Sequence, residues 1–363
     1  MAAAADALPQ SRARARLASS LAVLFPALLN SWPLLLLVSQ KAFVPIGLAT
    51  LDYGSRPVQR DLMVTAVVLL ACLLLMLLQP ANPFALAHFA GFALFLLAVP
   101  AINHAVRQER PLLFTVIALT SLINASLAIL FSVLEVDLSA LRGLNRVINK
   151  FGVTDRVFYE TTSLLAVFSL SFLRPKWLAL IGYVIVGYYA IFLAKSVFVI
   201  LLYAVNLLIP PIVMRSRLSL KFVLLGAAVA GLVAGVANII LFRPDIAMSL
   251  GVKFLQLQFI LAEPTPLLLG GGWGHVIEAI VNDPDQPYQV EMQLPMLIVQ
   301  AGLLLFLAIT VAIGFLLASI STSRVAAALR ILIFFVVGFN NPWLFIPSWY
   351  LTVALMFHRL EQR

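Results

Sequence analysis

Charge is what this sequence has least of. Asp, Glu, Lys and Arg make up 11% of its 363 residues, and apolar residues make up 63%. Soluble domains carry roughly 25% charged and about 45–50% apolar residues. That contrast excludes a soluble enzyme, a disordered chain and a soluble repeat protein. Cysteine is nearly absent: Cys72 is the single one, so no internal disulfide forms, and no Cys/His cluster has metal-ligand spacing. No metal and no cofactor are therefore expected. Acids are also sparse, which leaves a net charge of +9. In a soluble protein that excess would suggest nucleic acid. In a membrane protein it comes from cytoplasmic loops rich in Lys and Arg. No basic run alternates with aromatics as base stacking requires, so nucleic-acid binding is rejected.

What the sequence has is long apolar runs, at 17–39, 61–79, 84–102, 111–133, 158–173, 177–194, 196–213, 221–242, 291–319, 329–341 and 343–357. A span needs about 20 such residues. The fold expected is all-α: a polytopic integral membrane protein of 11–12 transmembrane helices, a single transmembrane domain over 1–363. The twelfth span appears if 17–50 is a hairpin broken near Asn30-Ser31-Trp32-Pro33. The basic start, with Arg12, Arg14 and Arg16, precedes a long apolar run without a clear small-x-small cleavage site, so it is read as a retained first helix. The last two runs flank Gly338-Phe339-Asn340-Asn341-Pro342, which favours a break. They form either two short helices or one kinked helix.

Two stretches are long and not apolar: 134–157 and 243–290. Loops of this length in a compact chain are usually functional or disordered, and neither has the low complexity of disorder. Leu138, Leu141, Leu144, Val147 and Ile148 recur at helical spacing, as in an amphipathic helix on a membrane surface. Val252, Leu255, Phe259 and Ile260 follow the same period. With both loops outside, Lys41, Arg56, Arg60, Arg107, Arg110, Arg174, Lys176, Arg215, Arg217, Lys221, Arg324, Arg330, Arg359 and Arg363 face the cytoplasm, as the positive-inside rule favours. Twelve spans would also place the N-terminal arginines inside, and eleven would not.

The outer loops hold the candidates for chemistry. Arg142, Arg146, Asn149 and Lys150 share one face if that segment is helical, with Arg156 close behind. Clustered cations suit a phosphate or diphosphate headgroup, and equally a surface helix on anionic lipid. Arg243 opens the second loop, and Lys195-Ser196 places a further cation on the outer side. Gly270, Gly271, Gly272 and Gly274, with Trp273 among them, permit tight turns. Their N–H groups could cradle an anion, or the run is a re-entrant turn needing positive φ. His275 is the one histidine in an outer loop and a possible base; a structural histidine is the commoner case. Glu291 heads a long apolar helix, where it acts as a base or caps the helix N-terminus.

These features, in this order, resemble the bacterial O-antigen polymerase and O-antigen ligase superfamily (Wzy-type polysaccharide polymerases). The resemblance rests on Pro266-Leu267-Leu268-Leu269-Gly270-Gly271-Gly272-Trp273-Gly274. It continues in Glu291-Met292-Gln293-Leu294-Pro295-Met296-Leu297 and Gln300-Ala301-Gly302-Leu303, with Phe192-Leu193-Ala194-Lys195-Ser196 as a second match. It covers about 140–340; clean Arg-x-x-x-Gly motifs are absent, and the chain is short for the family. It implies a GT-C-like, metal-independent glycosyltransferase at the periplasmic face of the bacterial inner membrane. The donor would be an undecaprenyl-diphosphate-linked glycan, held among membrane lipid, with a flippase and a chain-length regulator as pathway partners. Arg142, Arg146, Arg156, Arg243 and Lys195 would hold the diphosphate, Gly270–Gly274 would form a substrate loop, and Glu291 or His275 would be the base. Ligase-type glycan transfer, a lipid or polysaccharide flippase and a non-catalytic scaffold are the alternatives.

Overall fold

The structure is a computed structural model, and it describes residues 21–35, 38–79, 82–108, 110–134, 149–150, 153–154, 164, 173–214, 226, 233, 237, 246–281, 287–339 and 344–361. Its architecture is all-helical. Helix α1 covers 21–29 and α2 Trp32–Leu35, followed by a 3-10 turn at Gln40–Phe43. Then come α3 (Val44–Ala49), α4 (Arg56–Leu78), α5 (Ala85–Gln108) and α6 (Arg110–Val133). Next is α7 (Lys176–Tyr188), which runs into a π-helical turn at Tyr189–Leu193, and then α8 (Val197–Met214). The chain continues with α9 (Ile246–Ala262), α10 (Gln293–Ser319), α11 (Arg324–Val336) and α12 (Pro347–Leu355). Among the described residues five helical segments are long and apolar enough to cross a membrane: Arg56–Leu78, Ala85–Gln108, Pro111–Val133, Lys176–Leu193 and Gln293–Ser319. The runs at 158–173 and 221–242 lie almost wholly outside the described residues.

Antiparallel α4 and α5 form the most extensive helix pair, and α10 and α12 pack against them. We call the end of the bundle at the α4–α5 connection (79–85) the upper end. At the lower end a buried polar cluster ties four helices together. Asp61, fully buried on α4, receives Arg107 Nη2 of α5 at 2.7 Å and Asn103 Nδ2 at 3.0 Å. Arg107 also donates to Ser319 of α10, and the Tyr350 hydroxyl of α12 donates to Asn103 Oδ1 at 3.0 Å. A charge away from water persists only where it is paired and hydrogen-bonded, so this cluster fixes the register of α4, α5, α10 and α12.

The chain does break near Asn30. The Asn30 carbonyl, freed where α1 stops, accepts from Asn124 Nδ2 of α6 at 2.7 Å, and its own amide donates to Ser121 and Thr120. The final apolar run is two helices, not one kinked helix. A 3-10 turn at Val337–Phe339 ends α11, and α12 is a nine-residue helix whose side chains are all buried. Its C-terminal end is held by Arg330 of α11, which donates to the Met356 carbonyl through Nε (3.0 Å) and Nη2 (2.8 Å). The same guanidinium meets Glu361 in bidentate fashion, at 2.7 and 3.0 Å.

Two expectations change. Lys41, assigned to the cytoplasmic side, sits in the upper half of the bundle: a Cβ placed on Gly91 of α5 would lie 3.0 Å from its Nζ. The chain climbs through α1 and α2 before α3 brings it down, so a connection that looks like one loop contains a re-entrant stretch. Asn149 and Lys150 are not helical; they pair antiparallel with Thr154 and Val153. The amphipathic segment 138–148 lies outside the described residues. On α9, Val252, Leu255 and Phe259 are exposed, as expected of an apolar stripe that meets lipid, and Ile260 is buried. The packed face carries Gln256 and Ile260.

Glu361→Ala leaves the Arg330 charge buried and uncompensated, a loss of about 3–5 kcal/mol for a pair of this kind. The expected result is a markedly lower thermal midpoint in detergent, with only part of the loss recovered by the double replacement Arg330→Met, Glu361→Leu, which removes the unpaired charge and also the donors to the Met356 carbonyl.

Candidate functional site

The upper end is built around a deliberate break in α10. Gly302 lies inside this helix with φ 76° and ψ 164°, an extended left-sided geometry that interrupts the ladder. An intact helix would bond the N–H groups of 303 and 304 to the carbonyls of 299 and 300. Here the glycine turn takes both sets of partners. Gly271 N–H donates to the Val299 carbonyl at 2.7 Å and Gly272 N–H to the Gln300 carbonyl at 3.0 Å. In return Leu303 donates to the Leu267 carbonyl at 2.8 Å and Leu304 to the Leu268 carbonyl at 3.4 Å. The exchange works only because two glycines face each other. A Cβ on Gly270 (φ 73°) would come within 2.5 Å of the Gln300 carbonyl oxygen, and one on Gly302 would collide with the Leu268 carbonyl. The break lies nine residues below the head of α10, about 14 Å at helical rise.

Two glutamines sew the turn to its surroundings. Gln79, capping α4, donates to the Leu269 carbonyl at 2.5 Å and accepts from Trp273 N–H at 3.3 Å. Gln300 Nε2 donates to the carbonyls of His275 and Tyr288 at 3.1 and 3.2 Å. Gly274 N–H donates to His88 Nδ1 of α5 at 3.1 Å, and Gly270 N–H to the Pro266 carbonyl at 2.7 Å. All five N–H groups from Gly270 to Gly274 therefore have protein acceptors. Trp273, fully buried, packs on His88 and Phe92 with ring centroids 5.1 and 5.0 Å away. His88 also stacks on Tyr288 at 4.8 Å.

The two predicted bases face two different side chains, one on α9 and one on the residue that follows it. His275 Nε2 meets Glu263 Oε1 at 2.9 Å, with both side chains about one-fifth exposed. Glu291 faces Lys253 at 3.5 Å. Positions 253 and 263 are ten residues apart, about 15 Å along a helix axis, so the pairs are distinct. The His275 ring lies over Gly271, where an added Cβ would meet its Nδ1 at 3.0 Å. The glycine turn thus positions the histidine as well as closing the helix break. Lys195 stands at a second discontinuity, between the π-helical turn and α8, with φ 43°. Phe198, one turn further on, contacts Trp349 at 5.8 Å and brings this break to the start of α12. Arg142, Arg146, Arg156 and Arg243 lie outside the described residues. Among the described residues no group of three or more His, Cys, Asp or Glu side chains could hold a metal.

Glu263 and Gln79 were not singled out from sequence. Glu263 stands immediately before Pro264-Thr265-Pro266, at the mouth of the turn that carries His275, and that position is the signal that could have found it. The chain finds no significant match to any protein-family model, curated protein or solved structure.

Gly302→Ala and Gly270→Ala should each destabilise the protein by about 1–3 kcal/mol through left-handed strain alone, and by more where the carbonyl contact cannot relax. Gly314→Ala, in the same helix with only ordinary contacts to Ile331, should leave the thermal midpoint unchanged. Equal midpoints for all three variants would remove the reciprocal glycine fit from the account.

Proposed function

We propose that this chain is a membrane glycosyltransferase that lengthens a glycan carried on a polyprenyl diphosphate lipid, a Wzy-type polymerase working at the periplasmic face of the bacterial inner membrane. The observation that carries the reading is the Glu263–His275 pair, 2.9 Å apart and partly exposed, held over the glycine turn at the upper end. A hydroxyl of the acceptor glycan attacks the anomeric carbon of the donor, forming the new glycosidic C–O bond. The bond from that carbon to the diphosphate oxygen breaks, and the lipid diphosphate departs with the electron pair. His275 takes the acceptor proton, while Glu263 fixes the ring's orientation, as the carboxylate does in acid–base triads. Lys195, with Arg142, Arg146, Arg156 and Arg243, offsets the charge growing on the leaving diphosphate. Both substrates are held by their lipids in one plane, which supplies proximity. Glu291, facing Lys253, is the second candidate base.

A second reading, movement of the lipid-linked glycan across the membrane, draws support from Asp61 and Arg107, an ionisable pair inside the bundle. The location of that pair, at the end opposite the glycine turn, places it far from the Glu263–His275 pair.

The test is reconstitution in nanodiscs with polyprenyl-diphosphate oligosaccharide, followed by a gel for longer lipid-linked glycans. A ladder is expected, reduced about 10²–10⁴-fold in His275→Ala, the range for losing a general base, and less in Glu263→Gln. Arg243→Ala should also lose it. A ladder indifferent to His275, Glu291 and Arg243 would overturn the site. No ladder from folded, lipid-binding protein would overturn the polymerase reading. Product on a lipid A-core acceptor would then indicate ligase-type transfer, and glycan translocation abolished by Asp61→Asn would indicate a flippase.

A further inference from the structure

Helix α9 packs on the segment that runs from beyond the glycine turn to the head of α10, and it is held there thinly. Its inward face carries Lys253, Gln256 and Ile260, at i, i+3 and i+7. Ile260 joins an apolar cluster with Ile277, Ile280, Met292 and Met296, so its packing partners come from the chain just downstream. Leu250, Phe254, Leu255 and Leu261 are exposed, and a Cβ added to Gly251 would meet nothing within 4 Å among the described residues.

The two ends of the helix are fastened differently. Glu263, one residue past α9, holds His275 at 2.9 Å, and Pro264 and Pro266 stiffen the chain that follows. Toward the other end Lys253 reaches Glu291 at 3.5 Å, and the Glu291 side chain is 34% exposed. A charge-assisted hydrogen bond is shorter, at about 2.7–2.9 Å, and ion pairs open to water hold weakly. Gln256 lies between these two fastenings. It is 2% exposed, and neither its amide nitrogen nor its amide oxygen has a hydrogen-bond partner. The buried amides of Asn103, Asn124 and Gln300 are all spent on partners. An amide shut away from water without a partner opposes the closure that buries it. Sparse packing, an exposed outer face and an unspent polar group beneath mark an element that opens locally.

We propose that α9 is a lid over Glu291 and the apolar floor beside it, pivoting at Glu263, latched by the Lys253–Glu291 pair and biased toward opening by Gln256. Lifting the Lys253 end wets the Gln256 amide, releases the Glu291 carboxylate from its ammonium and uncovers Ile277, Ile280, Met292 and Met296. The Glu263–His275 contact lies at the pivot and survives the motion. Lids of this kind admit substrate and then exclude water from the reaction. The proposal rests on glycosyl transfer only for what the lid admits, a glycan and its lipid; the opening itself stands without that reading.

The experiment is cysteine labelling of the full chain in nanodiscs with a membrane-impermeant maleimide. Cys72, fully buried in the bundle, is the internal control. Ile260→Cys, at a position 3% exposed, should be labelled while Cys72 stays silent. Adding Gln256→Leu should slow that labelling about tenfold, because an apolar side chain of similar size removes the cost of closure. Adding Glu291→Gln, which unfastens the latch, should speed it several-fold. Gln256→Leu alone should leave the thermal midpoint unchanged or raised. Ile260→Cys as silent as Cys72 would overturn the lid, and so would both cysteines reacting at one rate, which is global unfolding. Labelling indifferent to Gln256→Leu, or a midpoint lowered by it, would also overturn the proposal, since the amide would then have a partner in the closed state. Should Ile260→Cys fail to fold, Met296→Cys on the facing helix, 2% exposed, takes its place. Labelling needs no glycan transfer, so a moving lid without a polymer ladder retires the reaction alone. A ladder with silent Ile260→Cys retires the lid alone.

Discussion

Every backbone N–H and C=O removed from water must find a partner inside the protein, and this constraint organises the molecule. Regular helices satisfy it automatically. Each place where a helix stops at depth needs a donor or acceptor from elsewhere, and the buried polar side chains are spent there. Asn124 answers the end of α1, Arg330 the end of α12, Gln40 the start of α12, and Gln79 and the glycine turn the gap in α10. The side chains that look functional by polarity are therefore of two kinds. Some complete the backbone, and some, such as Glu263 and His275, face each other at a partly exposed surface.

The two kinds meet at the glycine turn. Its amides complete α10, so the turn acts as a scaffold that carries His275 at a fixed height above the helix break. Sites built on rigid elements hold their geometry better than sites on free loops. A turn bonded to a helix on both strands of the exchange behaves as such an element, although its sequence reads as a loop.

Much of this was legible in the sequence. The all-helical membrane architecture follows from composition and run length, and the breaks at Asn30-Ser31-Trp32-Pro33 and around Gly338 stand in the chain as polar or proline interruptions. The left-handed backbone at Gly270, Gly272 and Gly274 follows from residue type. Other features were not legible, for identifiable reasons. Lys41 reads as a cytoplasmic loop cation because the positive-inside rule assumes that a cation between two apolar runs reaches water; a re-entrant stretch violates that assumption. Gly302 sits in an unbroken apolar run and shows no kink signal, since the residues that permit its geometry lie some thirty positions earlier. Glu263 and His275 are twelve apart with prolines between, a spacing that matches neither helix nor strand.

That thirty-residue offset has a consequence for biosynthesis. Chains are made from the N-terminus, so Leu267–Gly272 is already part of the chain before residues 299–304 are joined. When α10 is delivered to the membrane, the partners for its gap already exist just upstream on the same chain. The helix and its turn can therefore enter as one local hairpin, and the interrupted helix never has to wait in lipid for a distant segment to arrive. Gln79 at the end of α4 and His88 of α5, both earlier in the chain, then close the assembly behind it.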